Sequence, residues 1–241
     1  EKIGGVAQDA TLDIDGQAAT FVYVDSTKGW INVQNVDDSV VGAQFVAATG
    51  GTITTVCTNF KVHTFTGPGT FCVSSAGNSA GSNKVDYLIV AGGGGGATQH
   101  SGGGGAGGFR GSFPSPNTNA GTTPVSVQTY PIVVGGGGTG QAPTGSNGPS
   151  GANSTFSTIT AHGGGGGGGT QNGIAGGSGG GGGAAPSTSR SGGAGNTPPV
   201  SPAQGFAGGS GQHSPGSAKA GGGGGASAVG SNGVGGPTPP G

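Results

Sequence analysis

Few side chains in this 241-residue chain are equipped for chemistry, and their spacing decides what they can do. The reactive set is two cysteines, Cys57 and Cys72, four histidines, His63, His100, His162 and His213, and eight carboxylates. Every carboxylate lies between Glu1 and Asp86, so residues 91–241 contain no Asp or Glu. Paired-carboxylate chemistry, a Ser-His-Asp triad and an acidic metal site are therefore excluded within that part of the chain. The histidines are dispersed: His63 reads as a strand-face residue and His162 as a side chain leading into a glycine helix. Two cysteines without clustered His or acids do not make a tetrahedral metal set, so no metal and no other cofactor is expected. If Thr64 faces Phe71 across a hairpin, Cys72 faces His63 and Cys57 lies at the turn entering that strand. The pair Cys57 and Cys72 then either forms a disulfide or remains two buried thiols. Gly-x-Gly-x-x-Gly occurs many times, but no match follows a strand and opens a helix with an acid downstream, so these matches come from composition and not from phosphate cradling. The chain is not expected to be an enzyme.

The elements that position these residues must be built from unusual material. The chain has 65 Gly and 15 Pro, 6% charged and 5% aromatic residues and one Trp. An ordinary side-chain core is implausible throughout such a composition. The formal net charge is −1 with seven Lys and Arg, which leaves no electrostatic footprint for nucleic acid or an anionic membrane. No apolar run is long enough to span a bilayer, and the first residues lack the basic and apolar regions of a signal peptide. Methionine is absent, position 1 included, so the chain is expected to be the later part of a longer polypeptide.

Composition changes abruptly near residue 90. Eleven glycines fall in the first 90 residues and 54 in the remaining 151. Three regions follow: 1–48 as a small β module, 49–90 as a β-hairpin module and 91–241 as a glycine-rich domain. In the first, residues 11–14, 20–24 and 30–33 are short β-branched and aromatic runs separated by turn formers. In the second, residues 52–56, 60–65 and 70–74 are strand candidates. The last two are joined by Thr66-Gly67-Pro68-Gly69, a hairpin signal. Residues 86–91 add one more strand. Modules this small with so few large apolar residues are expected to be stabilised by association, as a homotrimer on a fibre axis or with other subunits.

Beyond residue 90, glycine-dense runs recur at 92–96, 102–108, 135–138, 163–169, 176–183, 192–195, 205–211, 221–225 and 230–236. One outcome is a flexible linker, because ordering glycine costs more entropy than ordering any other residue. The other is the left-handed polyproline II helix, with three residues per turn and a rise of about 3.1 Å. With no Cβ on any face, such helices can pack side by side and pair their N–H and C=O groups with neighbouring backbones. The similar run lengths, and the β-type stretches 130–134 and 156–161 that lead into glycine runs, favour the packed lattice. A collagen triple helix is disfavoured because strict Gly at every third position is missing. The expected fold is therefore all-β N-terminal modules followed by a packed polyglycine II sandwich, with essentially no α-helix.

The non-glycine anchors carry a resemblance. Val-Asp-Tyr-Leu-Ile-Val-Ala from Val85, followed by five glycines, and Gly-Gly-Phe-Arg ending at Arg110 resemble the glycine-rich domain of bacteriophage tail fibres. Tyr130-Pro-Ile-Val-Val-Gly and Ser154-Thr-Phe-Ser-Thr-Ile-Thr-Ala-His-Gly resemble the strand-then-polyglycine segments of that family and of the distal tip adhesins of T-even-type phages. The segments 20–31, 61–66 and 69–71 resemble β modules found before it. The resemblance implies a virion structural protein, located extracellularly in the tail fibre, whose exposed loops bind a host receptor. Cys57 and Cys72 depart from the pattern.

Recognition on such a scaffold resides in loops that vary without disturbing the lattice. The candidate receptor-contacting residues are Gln99, His100, Gln171, Asn172, Ile174, Arg190, Pro198, Pro199, Val200, Gln212, His213 and Lys219. A host surface glycan or an outer-membrane protein suits loops this polar and this poor in aromatics. The alternative is a self-assembling extracellular filament using the same lattice for polymerisation.

Overall fold

The computed structural model describes residues 2–7, 20–33, 43–78, 81–112, 122–140, 145–184, 188–213 and 218–234. Among them there is no α-helix; thirteen short strands and a large body of hydrogen-bonded glycine backbone make up the ordered structure. The chain forms two compact units: residues 1–48, 73–85 and 124–128 in one, and 49–72, 86–123 and 129–241 in the other.

In the first unit, β1 (Phe21–Asp25) and β2 (Gly29–Asn32) form an antiparallel hairpin. Its turn is closed by Asp25, whose Oδ1 accepts from the Thr27 and Lys28 amides at 2.7 and 2.6 Å. These two N–H bonds hold the Asp25 carboxyl below its usual range. Gly29 is required there, because its φ is +68° and a Cβ would lie 2.0 Å from the Lys2 carbonyl oxygen. Tyr23 and Trp30 meet edge to face across the pair at 5.6 Å. The other strands with residues in this unit are β3 (Val46–Thr49), the C-terminal half of β6 (Gly69–Ala76), β7 (Lys84–Val85) and β10 (Thr123–Pro124). The strand candidate at 11–14 lies outside the described residues.

In the second unit, β4 (Thr52–Val56) pairs with β5 (Phe60–Thr64), from Thr52 opposite Thr64 to Val56 opposite Phe60. The hairpin expected between β5 and β6 does not form. Residues 69–72 of β6 pair instead with β11 (Thr129–Val133), placing Cys72 opposite Thr129. Both cysteines are free thiols: Cys57 sits in the β4–β5 turn at φ +49°, and Cys72 Sγ lies 3.4 Å from Thr129 Oγ1. The disulfide expectation rested on the β5–β6 register, and that register is absent. The stretch 156–161, read as one strand, is a hairpin of β12 (Ser154–Phe156) and β13 (Ile159–Ala161), with β12 pairing onto β11. The remaining pair is β8 (Leu88–Val90) with β9 (Phe109–Gly111). These strands bury an aromatic cluster of Phe71, Tyr87, Tyr130 and Phe156, with ring centroids 5.8–6.4 Å apart. Burial raises the Tyr87 hydroxyl above its ordinary pKa.

The glycine-rich part is a lattice of extended threefold rods, and its hydrogen bonds repeat every third residue. Eleven rods can be traced among the described residues: rod 1 (91–96), rod 2 (102–108), rod 3 (135–139), rod 4 (148–152), rod 5 (162–169), rod 6 (171–177), rod 7 (178–184), rod 8 (190–195), rod 9 (204–212), rod 10 (219–225) and rod 11 (228–234). In rod 5, Gly164 and Gly167 donate to Gly92 and Gly95 of rod 1 at 2.9 and 3.0 Å, while Gly165 and Gly168 donate to Ser178 and Gly181 of rod 7 at 2.9 and 2.8 Å. Successive residues thus aim at different neighbours, and residues three apart at the same one, as a helix with three residues per turn demands. At about 3.1 Å per residue, the seven glycines 163–169 span about 22 Å.

A rod with three donor and three acceptor directions can have six neighbours, and rod 7 has six. It donates to rods 2, 6 and 9 and accepts from rods 5, 8 and 10. The pairings generate a three-layer hexagonal stack: rods 3, 1, 2, 10 and 11 in one outer layer, rods 4, 5, 7 and 9 in the middle, and rods 6 and 8 in the other outer layer. Residues 163–169 and 178–184, at the centre, are all buried. Close approach dictates glycine here. A Cβ at Gly183 would lie 1.6 Å from the Gly169 carbonyl oxygen, and one at Gly166 would lie 1.7 Å from that of Gly148. The interior is mostly peptide group against peptide group, and where rod 5 faces rod 4 and the residues flanking it, Gly163, Gly166 and Gly169 donate instead to the side-chain oxygens of Asn153, Ser150 and Asn147.

Candidate recognition surface

Rod directions sort the connections onto two ends of the lattice. Rods 1, 3, 5, 7, 9 and 11 run one way and rods 2, 4, 6, 8 and 10 the other, as the parallel and antiparallel registers require. At one end, β8 leads into rod 1, rod 2 into β9, β11 into rod 3, and rod 4 through β12 and β13 into rod 5. That strand end also carries residues 196–203 and the turn at 226–227. The opposite, loop end carries residues 97–101, 145–147, 170–171, 188–189 and 213, together with the rod termini beside them.

Of the predicted receptor-contacting residues, eight come together at the loop end: Gln99, His100, Gln171, Asn172, Arg190, Gln212, His213 and Lys219. Gln99 and His100 adopt left-handed backbone, at φ +55° and +47°, which costs a non-glycine residue energy and persists only where the surroundings impose it. The Ala184 amide imposes it in part by donating to the His100 carbonyl at 2.7 Å. The Gln171 carbonyl accepts from Gly183 at 3.0 Å, and Asn172 Oδ1 accepts from the Ser191 amide at 3.0 Å. Arg190 and Gly211 exchange backbone hydrogen bonds, as do Gln212 and Lys219, and the His213 amide donates to Ser189 Oγ at 3.3 Å. These loops are therefore tied to rods and to one another.

Four candidates lie elsewhere. Ile174 is in rod 6, donating to Gly166 and accepting from Gly180, both at 2.9 Å. Residues 170–175, read as a loop, become a rod because glycines at 173 and 176 recur every third residue. Pro198, Pro199 and Val200 lie at the strand end, in a loop bracketed by Asn196, whose Oδ1 accepts from the Val200 amide at 3.1 Å and whose Nδ2 donates to its carbonyl at 3.0 Å. Behind that loop the fully buried Gln204 side chain accepts from the His162 amide through Oε1 at 2.8 Å and donates from Nε2 to the Pro198 carbonyl at 3.1 Å.

Asn147 belongs with the loop-end set although sequence reasoning passed it over. Its Nδ2 donates to the Asn172 carbonyl at 3.1 Å, and the neighbouring Gly145 carbonyl accepts from Thr170 Oγ1 at 3.2 Å. The signal was Gly148-Pro-Ser-Gly151: two glycines three apart form rod 4, although no glycine run marks it. Chemically the loop end offers amides, hydroxyls, imidazoles and the cationic side chains of Arg190 and Lys219. Among the described residues, no group of three or more His, Cys, Asp or Glu is placed to hold a metal ion, and no helix is long and apolar enough to cross a membrane.

A family model described as a glycine-rich domain matches residues 66–241. No curated protein and no solved structure matches the chain significantly.

Proposed function

The chain belongs to the glycine-rich domain family, and from that premise we propose that it is the distal, receptor-binding piece of a bacteriophage tail fibre. The observation that carries this reading is the gathering of polar loops at one end of a backbone lattice whose other end is occupied by strands. An interior of hydrogen-bonded peptide groups tolerates almost no side-chain change, whereas the loops outside it are free to vary, a division suited to a binding module that must follow a changing surface. On this reading the protein is extracellular, part of the virion, and binds rather than catalyses. Its partners are a host surface glycan or outer-membrane protein at the loop end, and further copies or fibre subunits elsewhere. Exposed Ile53, Val56, Phe60 and Val62 on β4 and β5 suit burial in such an assembly. The test is to replace residues 184–191, or 212–220, by Gly-Ser segments of equal length in a phage that carries the chain. Adsorption to susceptible cells is expected to fall; adsorption unchanged for every loop would sink the reading.

One observation favours a self-assembling filament as a second reading. In the layer of five rods, Gly93, Gly96, Gly136 and Gly137 have room for a Cβ, with no atom nearer than 3.4 Å. The amides of Gly93 and Gly96 pair with nothing among the described residues. Glycine without an internal need, beside unpaired donors at threefold spacing, suits another rod laid on from outside. Concentration-dependent fibres in micrographs, abolished by Gly136→Lys, would support the filament; monomers at every concentration would remove it.

A further inference from the structure

We infer that the loop end binds an acidic polysaccharide, through a cationic ridge formed by Arg190 and Lys219 on either side of the rod 9 terminus. The inference rests on the receptor-binding reading and specifies the chemistry of the partner.

Three backbones meet at this ridge. Arg190 donates to Gly211 at 3.1 Å and accepts from it at 2.7 Å; one residue further along rod 9, Gln212 and Lys219 exchange bonds of 2.8 and 3.0 Å. Both pairings are antiparallel bridges. The two cationic residues are thereby held on two rods that flank rod 9 from different layers, with their backbones about 8 Å apart in a hexagonal packing of chains about 4.8 Å apart. His213 joins them by donating a hydrogen bond from its backbone amide to Ser189 Oγ.

No anionic side chain of the glycine-rich part compensates this charge. Residues 87–241 contain no Asp or Glu, and Asp86 lies at the strand end, where its carboxylate accepts from Ser112 Oγ at 2.7 Å. Arg190 Nε and His213 Nδ1 are buried with no hydrogen-bond partner, as is Arg110 Nε at the strand end, so what sets the ridge apart is the pairing of Arg190 and Lys219 about one rod. The third cation of the glycine-rich part, Arg110, is in β9 at the strand end. Two of the three cations of the glycine-rich part thus lie at the end where the loops gather.

The surroundings favour a carbohydrate over an acidic protein. Protein interfaces draw their energy from a few buried aromatic or aliphatic anchors. The described residues at this end carry no aromatic ring apart from imidazole. They offer amides and hydroxyls, which suit a hydroxyl-rich polymer, while the lattice fixes the backbones from which the two cationic side chains extend.

The experiment uses the full chain and immobilised polygalacturonate, with dextran as the neutral polymer and polyglutamate as the acidic polypeptide. Polygalacturonate is expected to be retained at low salt, with affinity falling as salt rises. The double variant Arg190→Ser, Lys219→Ser is expected to bind about tenfold more weakly and with a shallower salt dependence. Arg110→Ser, which removes a charge at the other end, is expected to leave binding unchanged. Because the ridge is joined by backbone, the double variant should keep its thermal midpoint; if it unfolds, the salt dependence of the unaltered chain and the Arg110→Ser comparison still decide. Equal binding to dextran, or a loss shared equally by Arg110→Ser, overturns the proposal, and tighter binding to polyglutamate reassigns the ridge to an acidic protein. Loop replacements that abolish adsorption while polygalacturonate is ignored would leave the receptor-binding reading standing and remove only this one.

Discussion

The aromatic cluster around Phe71 and the rod lattice around Gly180 lie in one compact unit and exclude water with opposite materials. In the first, β6, β11 and β12 bring Phe71, Tyr130 and Phe156 together so that ring meets ring at 5.8–6.4 Å, and the favourable term is apolar area removed from water. In the second, side chains are few and small and peptide groups fill most of the interior, so the favourable terms are hydrogen bonds and close packing, set against a large loss of glycine freedom. A side-chain core can relax around a smaller residue. A hexagonal lattice gives a larger one no space, because rod 7 is enclosed on six sides.

That contrast can be broken most directly at Gly183. Gly183→Ala places a carbon 1.6 Å from a backbone oxygen, so a central rod must move and surrender bonds to its neighbours. The loss is expected to match or exceed the ~3–5 kcal/mol typical of deleting a large aromatic side chain, and to register as a collapse of the thermal midpoint. Phe156→Ala in the ring cluster is expected to cost about 3 kcal/mol in denaturant titration while leaving rod amides protected from hydrogen exchange. If Gly183→Ala proves milder than Phe156→Ala, the lattice is not the rigid interior described.

Ser178→Ala probes a side chain that the lattice does accommodate. The Ser178 hydroxyl lies 2.8 Å from the Gly107 carbonyl oxygen and 3.1 Å from that of Gly225, and the residue is fully buried. Removing it is expected to cost about 1–2 kcal/mol in thermal melts. Alkaline pH sharpens the contrast by a different route, through the buried Tyr87 hydroxyl of the ring cluster. Burial raises the Tyr87 pKa, so the folded state retains the proton that the unfolded chain releases near pH 10. Stability is therefore complete below pH 10 and declines as pH climbs from there toward the raised folded value. Tyr87→Phe is expected to flatten that decline in pH-dependent melts. The smallest effect is expected at Gly136, where a Cβ meets nothing within 4 Å. Gly136→Ala should shift stability by no more than about 0.5 kcal/mol, and toward greater stability if the unfolded chain is stiffened.

Much of the fold was legible in local chemistry. Residues 52–56 and 130–134 carry enough β-branched and aromatic character to announce strands, and the structure has β4 and β11 there. The run 163–169 announced a rod. Pairing was less legible. β5 chose β4 through a turn in which Cys57 and Thr58 both have positive φ, residue types that advertise no such turn, while Thr66-Gly67-Pro68-Gly69 advertised a hairpin that does not close. The rods at the margins were also hidden. Rods 4 and 6 need glycine mainly at every third position, at 148 and 151 and at 173 and 176, because chiefly that edge faces another backbone closely. A search for glycine runs passes over them, whereas a period of three would have found them. The candidate site was half legible: the sequence indicated which loops are polar, but only rod direction separates Lys219 from Pro198.

Composition by itself determined the kind of interior this protein can have. With 54 glycines and no acid beyond Asp86, residues 91–241 must either pack their backbone or stay unfolded, and any charge they gather is positive. Tertiary structure decided which rods are enclosed, which strands pair and which loops share an end. The physical reason is that a glycine run carries no side-chain label to say which neighbour it meets. Register and direction emerge only when three donors and three acceptors per turn are satisfied at once by the surrounding chains.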